Sequence, residues 1–170
     1  LTTEEQFSMK QVRNRAAVAC LAVAGVAGAA LPAAASASDA GLKKTVVRYE
    51  KRVAPEAKAW SAADKALESA TTTDGASAAT GAFRRGLHSW KVALTPIKTT
   101  SATSAGAKKE ILTAIREYDL GLVQYQKALD KLNAGASKSS LKSSIVRSEK
   151  RIAAAANDEA AALKELGLVS

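Results

Sequence analysis

Beyond residue 40 the apolar side chains recur at intervals of three and four, and no stretch alternates as a half-buried strand does. The clearest run is Ile111, Ile115, Tyr118, Leu122, Tyr125, Leu129 and Leu132, whose steps are 4, 3, 4, 3, 4 and 3. Three heptads of this kind place every one of these side chains on a single helical stripe. The spacing predicts a helix over residues 107–133, with Leu122 at the middle of its buried face. Gly135 follows in a place suited to the left-handed conformation that ends a helix.

Three weaker patterns accompany it. Leu42, Val46, Tyr49, Val53, Trp60, Ala63, Leu67 and Ala70 predict a helix over about 41–70. Pro55 lies inside it and predicts a kink near Arg52, because proline lacks the amide donor and crowds the preceding turn; the heptad phase nevertheless continues across it. Ala76, Ala79, Phe83, Leu87, Trp90, Leu94 and Ile97 predict a second helix over 76–98. Asp74 is the expected cap, Pro96 the expected stop, and Gly81 and Gly86 each weaken the middle by about 1 kcal/mol. Leu141, Ile145, Ser148, Ile152, Ala155, Ala156, Leu163 and Leu166 predict a last helix over 139–166, with Ser137 or Ser139 as cap and Gly167 as stop.

The links between these helices are short and rich in Thr, Ser, Gly and Ala, which favours antiparallel neighbours. The expected fold is all-α, an up-down-up-down four-helix bundle. An elongated helical hairpin pairing with a second copy is the alternative. The last helix is mostly alanine between Ala153 and Ala162, so it is expected to pack closely through small side chains and to fray first.

The first forty residues follow a different pattern. Lys10, Arg13 and Arg15 precede sixteen uncharged residues, Ala16 to Leu31, and Pro32 and Ala35-Ser36-Ala37 close the segment. A basic region, a short apolar region and an Ala-x-Ala site make a secretory signal peptide. The apolar run is short for a membrane span, which wants about 20 residues. The expected organisation is a signal peptide over 1–37, with translation beginning at Met9 and cleavage after Ala37, and one helical domain over 38–170. Cys20, the only cysteine, would leave with the signal, so the mature domain would hold together without disulfides. The implied location is secreted or in the cell envelope, and the alanine-rich, signal-bearing composition points to a bacterium.

Charge narrows the partners. The chain carries 25 Lys and Arg against 16 Asp and Glu, a net charge of +9. Removing residues 1–37 takes three of the basic and two of the acidic residues, and leaves +8. Outside a cell the abundant anions are wall polymers, acidic polysaccharides and lipid headgroups; nucleic acid is not expected. From Gly75 to Lys109 no acidic residue occurs. Arg84, Arg85, Lys91 and Lys98 form a basic set opposite Phe83, Leu87, Trp90 and Leu94 and are the candidate anion-binding residues.

Candidate chemistry is otherwise sparse. His88 is the single histidine and stands among Arg84, Arg85 and Lys91, which disfavour its charged form. Glu56 and Glu159 fall at inward heptad positions, but Ala59 and Ala162 stand where a di-metal bundle would carry histidine. Glu159 is therefore expected as a boundary carboxylate bonded to Tyr49 or a lysine. The aromatic residues at helical spacing are expected in the core. No catalytic residues, metal or cofactor are expected, and the protein is expected not to be an enzyme. The expected role is binding an anionic wall polymer or membrane surface through the basic helix. A carrier or sensor of a small apolar ligand held between the helices is the alternative.

Overall fold

The computed structural model describes residues 37–67, 69 and 72–169. The predicted signal peptide lies outside the described residues except for Ala37, and so does its cleavage. The described residues are helical with no strand among them: α1 (Ala37–Ala66), α2 (Asp74–Leu94), α3 (Ala102–Asn133) and α4 (Lys138–Glu165). This agrees with the expected all-α helical bundle.

Helix ends follow local chemistry. Ser101 and Ser137 cap α3 and α4, each accepting a hydrogen bond from the amide three residues on, Ser104 at 3.1 Å and Ser140 at 3.2 Å. Gly135 and Gly167 end the same two helices at φ +92° and +67°. The next amides, Ala136 and Leu168, reach back to the carbonyls of Lys131 and Leu163, the double closure that glycine permits in this conformation.

Two local expectations are corrected. Thr73, not Asp74, is the cap position of α2, and it makes no capping bond; its hydroxyl donates to Asn133 at 2.7 Å, and Asp74 sits in the first turn, where the helix dipole favours a carboxylate. Helix α2 also stops at Leu94 rather than at 98, since Pro96 cannot supply the next helical amide. Helix α1 continues through Pro55, which faces solvent.

Helix α3 is the centre. Ile111, Tyr118, Leu122, Tyr125 and Leu129 of its stripe are all 2 % exposed or less, Leu122 at 0 %. Trp60 of α1 and Phe83 of α2 join Tyr118 and Tyr125 in an aromatic cluster, with ring centroids 5.4 Å apart for Trp60 and Tyr125 and 5.6 Å for Phe83 and Tyr118. Successive helices pair early residues of one with late residues of the next. Across α2 and α3, Ser77 meets Gln126 and Arg84 meets Asp119. Across α3 and α4, Glu117 meets Arg151, and Gly121 lies against Ser148 and Ile152.

The α3–α4 approach is the tightest, and small residues permit it. A Cβ on Gly121 would stand 2.7 Å from Ile152 Cγ1 and 3.2 Å from the Ser148 carbonyl. Ala155, Ala156 and Ala162 complete the buried face of α4. On the opposite side of the molecule, no Cα of α1 comes within 8 Å of one of α4. Side chains span this wider seam: Lys138 donates to the Leu67 carbonyl at 3.0 Å, and Glu50 meets Glu159.

Truncating Leu122 to alanine is expected to cost about 2–5 kcal/mol in chemical denaturation, the range for opening a cavity in a filled core. Gly121→Ala is expected to cost about 1–3 kcal/mol by overpacking against the α4 backbone. A neutral Gly121→Ala would show that α4 is free to shift.

Candidate functional site

Arg84, Arg85, His88 and Lys91 are spaced to fall near one side of α2, which is turned towards α3. Arg84 is half-buried, and Arg85, His88 and Lys91 are exposed, while Phe83, Leu87, Trp90 and Leu94 are buried behind them. The four polar residues line an open groove of about 630 Å³ between α2 and α3, whose other wall brings Ile115, Arg116 and Asp119. Three guanidinium groups, one ammonium and one imidazole thus face a single carboxylate.

That carboxylate is already engaged. Arg84 Nε donates to Asp119 Oδ1 at 2.8 Å, with both side chains over 40 % exposed. At such exposure the pair contributes at most about 1 kcal/mol and is displaceable by a competing anion. Arg85, Lys91 and Arg116 are exposed around it.

Of the candidate residues named from the sequence, Arg84, Arg85 and Lys91 line this groove. Lys98 is exposed but lies past the end of α2 and does not line the groove. Arg116, which sequence spacing did not single out, takes its place because the antiparallel register of α3 carries it there. Lys108, part of the same acid-poor stretch, is structural: its Nζ donates to the carbonyls of Thr95 and Ile97 just beyond α2.

A second polar cluster lies in the interior and corrects the expectation for Glu159. Its carboxylate accepts from Tyr118 Oη at 2.7 Å and shares a hydrogen bond with Glu50, rather than meeting Tyr49 or a lysine. Sequence spacing does not single out Glu50, because the adjacent Tyr49 fits the heptad equally well. The pair borders a cavity of about 10 Å³ lined also by Val53, Ala54, Ala57, Phe83, Leu87, Trp90 and Tyr118. That is room for a single water molecule; a larger apolar guest would require the helices to part.

Burial dominates the titration of these acids. Desolvation, reinforced by the charge of Glu159, pushes Glu50 up to about 9. Glu159 is also raised by burial, against hydrogen bonds from Glu50 and Tyr118 that favour its charge. Glu56, as expected, turns inward; its Oε2 is buried against Gly86, and desolvation raises it despite the nearby Arg52 and Arg85. Gly86 is thus the site where this carboxylate fits between α1 and α2, since a Cβ there would collide with it.

Asp39 behaves in the opposite way. It accepts from the amides of Thr100 and Ser101, at 2.9 and 3.2 Å, and these bonds hold it below the usual carboxylate range. It ties the start of α1 to the link between α2 and α3.

Comparison of the chain with protein-family models, with curated proteins and with solved structures finds no match.

The carboxyl pair has a measurable consequence. The folded protein keeps the Glu50 proton up to about pH 9, whereas the unfolded chain releases it near 4.5, the ordinary glutamate value. The folded state therefore binds the extra proton throughout this window, and stability should fall as pH rises across it. Urea denaturation should show lower stability at pH 8 than at pH 5 in the wild type. Glu50→Gln, a permanently neutral mimic, should flatten that slope; an unchanged slope would remove Glu50 as its source.

Proposed function

We propose that this protein is a non-catalytic, exported binding module that holds an anionic wall polymer or membrane surface in the groove between α2 and α3. Export rests on the sequence pattern of residues 9–37, read as a cleaved signal peptide of general secretion. The observation that carries the binding reading is the groove's composition: Arg84, Arg85, His88, Lys91 and Arg116 face one carboxylate, Asp119.

The groove suits an anion for two reasons. Its cations project from two helices whose apolar sides are buried together, so their spacing is held by the core. Its single ion pair is exposed and weak, so an incoming anion takes over Arg84 at small cost. Guanidinium groups present paired donors that match phosphate or carboxylate oxygens. A shallow electrostatic site of this kind binds less tightly as salt screens it.

Reversing Arg84 and Lys91 to Glu is expected to weaken binding to acidic wall polymer and to anionic vesicles by at least about tenfold, since two attractive contacts become repulsive. Thermal unfolding should change little, because exposed charges contribute little to stability. Wild-type binding should also weaken between low and physiological salt. Wild-type affinity in the double reversal would reject the groove as the site.

A further inference from the structure

Charge on α1 is divided between inside and outside, with the carboxylates turned in and most of the cations turned out. Its described carboxylates turn inward: Asp39, Glu50 and Asp64 are 7 % exposed or less, and Glu56 lays a buried oxygen against Gly86. Asp64 accepts from Tyr125 Oη at 2.6 Å. Lys44, Arg48, Lys51, Lys58 and Lys65, in contrast, are all exposed. With Pro55 and Ala62 they step along α1 by 4, 3, 4, 3, 4 and 3, a straight outer stripe. At 1.5 Å per residue the stripe from Lys44 to Lys65 is about 32 Å long.

Solubility alone does not require this arrangement. The exposed faces of α3 and α4 mix signs, as Lys109, Glu110, Arg116 and Asp130 do on one, and Lys150, Asp158, Lys164 and Glu165 on the other. Mixed signs along a helix support it through pairs three or four residues apart. Helix α1 forgoes such pairs on its outer face, and among the described residues no carboxylate forms an ion pair with the stripe. Its acids are buried instead, where desolvation opposes their charge.

We propose that the outer face of α1 is a second binding surface, which takes a linear polyanion of high charge density laid along the helix. A row of solvent-exposed ammonium groups gains little from any single anion in water. It gains much from a polymer whose condensed counterions are released as each cation docks. A bilayer is the poorer fit, because interfacial helices bury an apolar face. The apolar side chains of α1 face the core, and the large apolar side chain found exposed among the described residues is Val92, on α2. This inference shares with the groove reading only the sign of the partner's charge; the two surfaces are tested separately.

Binding of long-chain polyphosphate and of tripolyphosphate, measured over a range of salt, tests it. Lys44→Gln, Lys51→Gln and Lys58→Gln combined should weaken long-chain binding by at least about tenfold, and flatten the slope of log affinity against log salt by about two, near 0.7 for each lost contact. Tripolyphosphate, too short to follow the stripe, should bind the triple variant and the wild type alike. Arginine at the same three positions should preserve long-chain binding, which separates lost charge from lost fold. Long-chain affinity and salt slope unchanged in the glutamine triple would overturn the proposal, as would wild-type binding to anionic vesicles without binding to polyphosphate. The Arg84→Glu, Lys91→Glu variant reports on the groove in the same assay. Its loss of affinity with an unaffected glutamine triple would retain the groove and reject the stripe, and the reverse result would do the opposite.

Discussion

Everything else in this molecule is built around the apolar stripe of α3. No cysteine occurs after Cys20, so burial has to hold the described helices together without disulfide staples. Helix α3 supplies the largest share of that burial, and each of the other helices reaches it by different means. Helix α1 sends Trp60 onto Tyr125, α2 sends Phe83 onto Tyr118, and α4 approaches Gly121 through Ile152 and its own backbone. The two tyrosines also serve as anchors for acids, since their hydroxyls donate to Asp64 and Glu159. Hydrogen bonds of this kind make it tolerable to bury a carboxyl group at all.

The close α3–α4 contact has a counterpart in the wide α1–α4 seam. Alanine and glycine let one pair of helices approach until backbone touches side chain. The first and last helices stay further apart, and Glu50 and Glu159 meet across the space between them. Two neighbouring buried carboxyl groups share a proton more readily than they both ionise. A carboxyl pair thus stands in the seam, and burial raises both of its members above the ordinary carboxylate range.

Charge follows the same division between interior and surface. Acids of α1 are drawn inward to a tyrosine hydroxyl, to backbone amides and to Glu159 of α4, while Lys44, Lys51, Lys58 and Lys65 remain in water. On α2, the apolar residues turn to the core and the arginines to the groove. Net positive charge is thus not spread evenly over the bundle. The outer face of α1 carries one share of it, because the carboxylates of α1 turn inward, and the α2–α3 groove carries another, because α2 has no acidic residue after Asp74.

Helix content and the buried faces of α2 and α3 were legible in the chain alone, whereas on α1 Glu50 and Asp64 are buried where the spacing favoured Tyr49 and Ala63. Period-3.5 spacing around Leu122 leaves a side chain few ways to avoid the core, and Gly135 and Gly167 end helices through a conformation that glycine alone adopts cheaply. The inward turn of Phe83, Leu87, Trp90 and Leu94 was equally legible, and with it the outward turn of Arg85 and Lys91. Other features depended on register between helices, which no single helix encodes. Arg116 reaches the groove only because α3 runs antiparallel to α2, and Lys98 misses it because Pro96 ends the helix first. Glu50 and Tyr49 fit one heptad position equally well, and it is Glu50 that is buried. Glu159 is its partner across the seam, and only the packing of four helices brings the two carboxyl groups together.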